Sequence, residues 1–551
     1  MKLSEHETIA RRTNPVAGHG MITTPHHLAS QSGLAVLRRG GTAVDAAIAA
    51  GAVLSVVYPQ MCGLGGDAFW LVHDTARGES RALNASGRAG RAVSRDKFAA
   101  PGGIPTRGWL SAITVPGMVS GWGEAYAYSR EVLGTPLSWA ELLEDAIAYA
   151  EEGVPLASSL AQWLREDTRT DAGESRNLQR FAGFRRVFCT AEGDICAIGR
   201  NLRQPELAAT LRRLAREGWR AFYEGDIAAR IAADMRAGGG LLTEEDFAAH
   251  HADWQEPLRV KYRNFSVLNC PPNSQGMASL ELLSILSQID VRALGEGTAD
   301  YYHVIIEATK LAFADRDRYL GDPEFTEIPL TELLSPAHAA AQAARIDMRR
   351  AAASVTPLDP HGDTIWLGVV DARGTAVSMI QSVYHDFGSG IVAGDTGVLL
   401  QNRGCFFSLD PSSPNCLAPG KRPFHTLNPP MLLDGGVPRL VYGTMGGEGQ
   451  PQTQAALVTR VMDFGMMPQE AVCAPRWLYG RSWGEAVNNI RLESRIEASV
   501  VEELRRRGHD VAVTTAFNDV MGHAGAIWRH PETTFLWGAA DPRGDGIAAG
   551  W

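Results

Sequence analysis

The chain changes character near residue 360, and this change limits the folds open to it. From residue 137 to residue 350, apolar residues recur mostly at helical spacing. After residue 364, alternating or continuous apolar runs predict mainly strands. Pro357 and Pro360 end the helical part, because proline lacks the backbone N–H that a helix uses. Residues 357–363 are therefore predicted to be an exposed connector between a helix-rich and a strand-rich part.

The predicted elements follow this division and show no internal repeat. Helices are predicted at 27–39, 43–57, 140–152, 204–216, 226–237, 277–289, 301–318, 452–464 and 498–507. Strands are predicted at 68–74, 365–371, 375–384, 397–401, 440–443, 489–492, 510–514, 524–529 and 534–539. Residues 372–374 join two of these strands as a hairpin. The helix at 43–57 is apolar nearly all round, which predicts a buried position.

Composition and charge exclude several classes of protein. Hydrophobic residues make up 45% and charged residues 21% of the chain, which is typical of soluble globular proteins and excludes disordered, collagen-like and membrane-embedded chains. A length of 551 residues corresponds to about three to four average domains. The net charge of −10 argues against nucleic-acid binding. The basic run 505–507 ends a predicted helix, where cations complement the helix dipole.

The seven cysteines and the N-terminal segment predict a cytoplasmic protein. The cysteines are irregularly spaced without a CxxC pair, which favours free thiols over a zinc site. A hairpin bridge between Cys189 and Cys196 stays open as an alternative. Residues 1–14 lack the apolar stretch of a secretory signal, and the apolar run 46–58 is too short to span a bilayer. The histidine pairs at 26–27 and 250–251 are interpreted as surface residues, so neither a metal nor a cofactor is predicted.

Thr364 stands at the start of a predicted core strand, directly after the connector. A threonine is common there because its branched side chain suits a strand. The segments that surround it favour a catalytic role for Thr364 instead. They are 40–47, 63–67, 361–371, 387–390, 399–403, 418–423 and 443–447.

In this order these segments resemble the γ-glutamyltransferase family of N-terminal-nucleophile hydrolases, from about residue 20 to the C-terminus. The resemblance implies an α+β fold, a four-layer αββα sandwich. It also implies a precursor that cuts its own Asp363–Thr364 bond. Residues 1–363 would form a large subunit and residues 364–551 a small one. The two would stay associated as one interleaved domain, which replaces the count of three to four domains.

The resemblance makes Thr364 the nucleophile. A threonine hydroxyl needs a base, and the α-amino group freed by cleavage has a pKa of roughly 7.7–8.0 in model compounds. It can take the proton from the hydroxyl of its own residue. The resemblance further implies that the backbone N–H groups of Gly446 and Gly447 stabilise the oxyanion. Ser382 stands where the family has a second threonine that hydrogen-bonds the nucleophile.

The resemblance also implies residues that bind the substrate. Arg88 resembles the arginine that holds the substrate α-carboxylate, a role that suits its forked guanidinium. A strict ungapped match places Ser86 in that position. His425 and Thr426 replace a pair of serines that support the same carboxylate or its neighbours.

Three positions depart from the family pattern. Phe406 replaces the acidic residue that holds the substrate α-ammonium, Arg403 stands in place of Gln or Glu, and Tyr384 in place of Asn. An ammonium facing Arg403 without compensation would be costly. We infer that the acyl donor is a small acidic amide without an α-amino group, such as oxamate or a glutaryl amide.

The predicted function is hydrolysis of that amide through an acyl-Thr364 intermediate, with transfer to an amine left open. One alternative is a γ-glutamyltransferase that acts on glutathione. Another, of a different class, is an uncleaved binding protein without catalysis. The sequence leaves open an assembly of two large–small pairs.

Overall fold

A computed structural model describes residues 14–99, 103–168, 177–353, 363–480 and 489–551. The predicted connector lies outside the described residues except for Asp363. The polar N-terminal segment also lies outside them except for Asn14.

Among the described residues, the strands are grouped into two large sheets and three small ones. In chain order they are β1 Val16–Ala17, β2 Met21–Thr24, β3 Asp67–Asp74, β4 Glu79–Ala85, β5 Val154–Pro155, β6 Asn201–Leu202, β7 Asp253–Gln255, β8 Leu258–Tyr262, β9 Phe265–Asn269, β10 Asp363–Val370, β11 Ala376–Tyr384, β12 Val392–Ala393, β13 Val398–Leu399, β14 Met431–Asp434, β15 Val437–Thr444, β16 Trp477–Tyr479, β17 Ile490–Glu493, β18 Val511–Thr514, β19 Ala524–Arg529, β20 Leu536–Ala540 and β21 Ile547–Gly550.

The α-helices are distributed along the whole chain. They are α1 His27–Arg38, α2 Ala43–Val57, α3 Asp96–Ala99, α4 Met118–Tyr128, α5 Trp139–Glu152, α6 Ser158–Asp167, α7 Ala182–Phe188, α8 Pro205–Glu217, α9 Asp226–Ala237, α10 Glu244–Ala248, α11 Gly276–Ser287, α12 Val291–Leu294, α13 Ala299–Tyr319, α14 Leu330–Leu333, α15 Pro336–Ala343, α16 Gln450–Val458, α17 Pro468–Cys473 and α18 Ala498–Arg506. Shorter 3₁₀ or π turns are Ser129–Leu133, Leu178–Arg180, Trp219–Phe222, Arg403–Phe406, Gly447–Gly449, Thr459–Asp463 and Asp519–Met521.

Two seven-stranded sheets form the centre of the molecule. One has the order β1-β20-β19-β15-β14-β9-β8 and the other β21-β2-β10-β11-β3-β4-β7. Strand pairs in both are antiparallel. In the second sheet, β10 from the strand-rich part lies between β2 and β11, while β11 pairs with β3. Strands from the two parts of the chain are therefore neighbours in one sheet.

Three apolar clusters show how the layers pack. The middle cluster joins the two sheets through residues such as Met21, Leu71, Met431 and Ile527. A second cluster packs α1, α2, α4, α5 and α8 on the outer face of the β10 sheet, and a third packs α11, α13 and α16 on the outer face of the β15 sheet. This order of helices, sheet, sheet and helices is a four-layer αββα sandwich, and it confirms the predicted fold.

The side chains of β10 alternate between two of these clusters, as a strand requires. Ile365 and Leu367 pack among the helices, whereas Trp366 packs between the sheets. A Cβ atom added to Gly443 would lie 2.3 Å from the indole of Trp366, so glycine leaves the space for this ring. The side chain of Thr364 lies on the same face of β10 as that of Trp366.

Most predicted elements are present, with specific differences. The helix predicted at 452–464 is α-helical only to Val458 and continues as the π turn Thr459–Asp463. The strand predicted at 397–401 shrinks to Val398–Leu399. Helix α2 is buried at every residue, and Thr42 and Asp45 form its capping box.

All seven cysteines are free, so the alternative Cys189–Cys196 bridge is not formed. Among the described residues, no helix combines the length and apolar character needed to cross a bilayer.

Candidate active site

Thr364 lies at an irregularity between β10 and β11. Asp363 pairs with Tyr384, whereas Ile365 pairs with Gln381, so β11 carries one extra residue here. Thr364 is fully buried, and its Oγ1 donates a long hydrogen bond of 3.4 Å to Ser382 Oγ. The structure thus brings the predicted nucleophile and the predicted second hydroxyl together.

The Ser382 hydroxyl is held in place by further donors. Its Oγ accepts the Tyr384 backbone N–H at 2.7 Å and Arg403 Nη2 at 3.5 Å. Gly66 packs so closely that an added Cβ would lie 2.2 Å from the Ser382 carbonyl oxygen. The glycine turn at 63–66 therefore lets the backbone approach the neighbour of the predicted nucleophile.

Arg403 is a buried cation without a carboxylate partner among the described residues. Its exposed fraction is 0%, Nη1 donates to Thr426 Oγ1 at 3.3 Å, and Nε has no partner within the part of the chain that the structure describes. Its Cζ lies 3.9 Å from the centre of the Tyr384 ring, a cation–π contact. Burial lowers the pKa of Arg403 to about 10, against opposing effects of Tyr384 and Asp67. The arrangement offers a site for an anion.

Aromatic rings form a wall beside this cation. The rings of Tyr384 and Phe406 meet edge to face at 5.3 Å, and Phe406 and Phe424 lie 4.7 Å apart. Tyr384 adopts a φ of 82°, in the left-handed region that non-glycine residues rarely use. The backbone thus turns sharply where β11 ends, and it places this ring under the guanidinium.

Asp67 organises the centre of the site, although sequence reasoning gave it no role beyond ending the 63–67 motif. Its Oδ1 accepts the backbone N–H groups of Gly87 and Gly117 and the side-chain amide of Gln401, each at 3.0–3.1 Å. Its Oδ2 lies 3.1 Å from His425 Nε2. Asp67 and His425 are both fully buried.

His425 is neutral at ordinary pH. Burial, followed by the charge of Arg403, lowers the pKa of His425 to about 4, while Asp67 acts in the opposite direction. The contacts fit the tautomer in which Nε2–H donates to Asp67 and Nδ1 accepts the Leu427 N–H at 3.4 Å. His425 therefore positions its neighbours and carries no charge.

The two predicted oxyanion glycines follow the end of β15. Gly446 has φ 119° and Gly447 has φ 51°, values that favour glycine. Within the described part of the chain, neither backbone N–H has an acceptor. These two donors, followed by the start of α16, suit a developing negative charge.

Side chains from the helix-rich part hold this glycine turn. Gln275 Nε2 donates to the carbonyl oxygens of Gly447 at 3.0 Å and of Thr426 at 2.7 Å. Arg316 is buried and donates to Gln275 Oε1 at 3.2 Å and to Glu448 Oε2 at 2.8 Å. Sequence reasoning missed Gln275, Arg316 and Glu448. Glu448 directly follows the 443–447 segment of the family resemblance, and this position was the one sequence signal for a role in the site.

Comparisons with known proteins identify the family of this chain. A family model described as gamma-glutamyltranspeptidase matches residues 29–551. The chain belongs to this family. It is 46% identical over 538 residues to the oxamate amidohydrolase proenzyme of Klebsiella pneumoniae, a match that covers 97% of this chain and 99% of the relative. It is 44% identical to the glutathione hydrolase-like YwrD proenzyme of Bacillus subtilis, over 96% of this chain and 98% of that one.

A solved structure confirms the fold of the family. The cephalosporin acylase of Bacillus halodurans superposes with a TM-score of 0.89 at 36% identity, and the match covers 98% of this chain and 97% of that chain. The chain is thus an N-terminal-nucleophile hydrolase that acts on amide bonds.

Arg88 occupies a different environment from the other predicted residues of this family site. Its guanidinium forms ion pairs with Glu324 and, at 3.5 Å, with Asp322, and it donates to the Gly420 carbonyl at 3.2 Å. Ser86, the alternative from the ungapped match, is buried and accepts Asn273 Nδ2 at 3.3 Å. Hydrogen bonds connect Thr364, Ser382, Arg403, Thr426, Gln275 and Gly447 in one path, which Arg88 does not join.

Proposed function

We propose that the chain is a precursor that cuts its own Asp363–Thr364 bond and then hydrolyses a small acidic amide. Residues 1–363 and 364–551 would remain together, because β10 and β11 are paired with β2 and β3 of the other part. The family relatives named as proenzymes support this processing.

In the proposed self-cleavage, Thr364 Oγ1 attacks the Asp363 carbonyl carbon, and the peptide nitrogen takes up a proton and leaves as the Thr364 amine. The resulting ester joins Asp363 to the Thr364 oxygen. Water opens this ester, which frees the Asp363 carboxylate and restores the hydroxyl. The buried Ser382 hydroxyl holds the attacking oxygen in position at 3.4 Å. Nucleophile and base are thereby produced on the same residue.

Amide hydrolysis would follow the same path with an external substrate. The Thr364 amine takes the hydroxyl proton as Oγ1 attacks the substrate carbonyl. The N–H groups of Gly446 and Gly447 stabilise the oxyanion, and the protonated amine then gives its proton to the leaving nitrogen. Water hydrolyses the acyl-Thr364 ester and releases the acid. An amine in place of water would give acyl transfer.

The burial of Arg403 is the main observation in favour of an acidic substrate. A buried guanidinium without a carboxylate partner among the described residues gains most from a substrate anion. An α-ammonium would instead meet a cation and the rings of Tyr384 and Phe406. The relative named oxamate amidohydrolase supports an acidic amide, whereas the glutathione alternative requires that ammonium. Arg88 remains a proposed contact for the substrate carboxylate, but its pairing with Asp322 and Glu324 makes its expected contribution to binding small.

A denaturing gel and a substrate panel test this proposal together. We expect two bands from the wild-type protein, with lengths in the proportion of residues 1–363 to 364–551. Thr364→Ala should leave one band and no activity, while Thr364→Ser keeps a hydroxyl and serves as the matched control. Cleaved protein should hydrolyse oxamate or a glutaryl amide faster than glutathione. An uncut wild-type chain would favour the binding-protein alternative, and efficient release of glutamate from glutathione would contradict the substrate choice.

Assembly and compartment are part of the same proposal. The cleaved unit is proposed to be a large–small heterodimer, and light scattering on cleaved protein distinguishes one such unit from a pair. The seven free cysteines support a reducing compartment such as the cytoplasm, which cell fractionation tests.

A further inference from the structure

A second group of polar side chains lies behind the active site, between three helices. Glu281 is on α11, Asp315 on α13 and His338 on α15. His338 Nε2 lies 2.9 Å from Asp315 Oδ2 and 3.3 Å from Glu281 Oε1. The ligand atoms of the three residues all lie within 4.8 Å of one another. None of these residues belongs to the proposed catalytic path.

The hydrogen bonds within this group leave one buried oxygen unsatisfied. The Glu281 side chain is 0% exposed, and its Oε2 has no hydrogen-bond partner among the described residues. Two carboxyl groups converge on a single imidazole nitrogen, which can donate only one hydrogen bond. Gln342 Nε2 donates to Asp315 Oδ2 at 2.7 Å, which satisfies part of one carboxylate and leaves Glu281 Oε2 unpaired. An uncompensated buried carboxylate is costly.

A cation would satisfy all three groups at once. We propose that Glu281, Asp315 and His338 bind one divalent transition-metal ion, represented here by Zn²⁺. Ligand atoms held at about 2.0–2.2 Å in a tetrahedral zinc site lie about 3.3 Å apart, close to the separations seen here. One imidazole with two carboxylates suits such an ion. Asp315 and His338 are 16% and 19% exposed, which gives an ion access from solvent and room for a water ligand.

The other buried group with suitable residue types is a weaker candidate. His303, Glu307 and His509 also approach one another. There, however, the Lys310 ammonium lies 2.7 Å from Glu307 Oε1, and the Ala352 N–H occupies Glu307 Oε2 at 2.9 Å. A cation is already present in that group, so the carboxylate needs no metal.

The proposed ion would stabilise the helices whose side chains hold the proposed oxyanion turn. Gln275 immediately precedes α11, and Arg316 follows Asp315 on α13. Both side chains hold the turn at 446–448. An ion that joins α11, α13 and α15 would therefore fix the helices that position these two side chains. Its role is structural, and the proposed reaction at Thr364 needs no metal.

Calorimetric titration of EDTA-treated full-length protein with Zn²⁺ tests the site directly. We expect one Zn²⁺ per chain and a higher Tm with the ion than without it. His338→Ala and Glu281→Gln should each weaken binding by at least about tenfold. Glu281→Gln keeps the size of the side chain, which guards against loss of folding. Glu332→Gln, an exposed acid on α14, is the matched control and should bind as the wild type does.

Several results would overturn the assignment. Absence of Zn²⁺ binding by folded wild-type protein would indicate that the two carboxyl groups share a proton instead. Unchanged binding in both His338→Ala and Glu281→Gln, or loss of binding in His509→Gln alone, would place the ion elsewhere. Tighter binding of Ca²⁺ than of Zn²⁺ would exclude a transition-metal site, because Ca²⁺ prefers six to eight oxygen ligands.

Discussion

Replacement of Arg403 by methionine tests two effects of this cation separately. One is its cost to the stability of the folded protein, and the other is its proposed contribution to binding the substrate carboxylate. Burial lowers its pKa well below the ordinary value for arginine, to about 10, which corresponds to about 3 kcal/mol against the charged form. At neutral pH the side chain is charged in both the folded and the unfolded chain, so the free enzyme bears this whole cost. The unfolded chain binds more protons than the folded chain only above about pH 10, so the cost is relieved only as pH rises beyond that value.

Methionine removes the charge and keeps an apolar side chain of similar length. The lost contacts with the Thr426 hydroxyl and the Tyr384 ring, each worth about 1 kcal/mol, offset part of the gain. At roughly 2 cal/mol/K of unfolding entropy per residue over 551 residues, the remaining ~1 kcal/mol raises Tm by about 1 °C. Differential scanning calorimetry of the substrate-free protein measures this shift.

Activity should change in the opposite direction. A substrate carboxylate that loses its buried cation loses about 2–5 kcal/mol, so kcat/KM for a glutaryl anilide should fall about 30-fold to several thousand-fold. Arg88→Met is the matched control, because Arg88 is partly exposed and already paired with Asp322 and Glu324. We expect it to change kcat/KM by no more than about threefold, or ~0.6 kcal/mol. A large loss in Arg88→Met with little change in Arg403→Met would refute the reasoning and assign the carboxylate to Arg88.

Three further predictions concern the nucleophile, the core and pH. Ser382→Ala removes the hydroxyl beside Thr364 and should slow both self-cleavage and hydrolysis by about 10–100-fold in gel and rate assays, whereas Ser382→Thr should retain both. Gly443→Ala places a Cβ 2.3 Å from an indole and should cost about 1–3 kcal/mol in denaturant unfolding, against less than about 0.5 kcal/mol for the exposed control Gly18→Ala. The rate should rise with pH as the Thr364 amine loses its proton near pH 7.7–8.0. His425, with a pKa of about 4, is already neutral there, so a midpoint that moves in His425→Asn would contradict this assignment.

Local patterns predicted much of the fold because they depend on nearby residues. The apolar run of α2 and its capping residue Thr42 lie within one short segment. The hairpin of β10 and β11 was predicted in the same way, from apolar runs that flank a turn. The layer order came from the family resemblance, and the three apolar clusters confirm it.

The family resemblance predicted the roles of Thr364 and Arg403, but it left their surroundings open. The partners of Asp67 show the reason, since it contacts His425 across 358 residues of sequence. Gln275 likewise reaches Gly447 across 172 residues. No local period links such positions, so their contacts depend on how the two sheets and their helices pack.

By itself, then, the sequence predicted a threonine nucleophile and the glycine turns beside it, and it determined the layer order that its family shares. The tertiary structure decided that Arg403 is buried without a carboxylate partner among the described residues, that His425 is neutral, and that Gln275 and Arg316 hold the turn at 446–448. The physical reason is that charge states and hydrogen-bond partners depend on burial and on groups brought together from distant parts of the chain. The identity and spacing of neighbouring residues therefore do not predict charge states or hydrogen-bond partners.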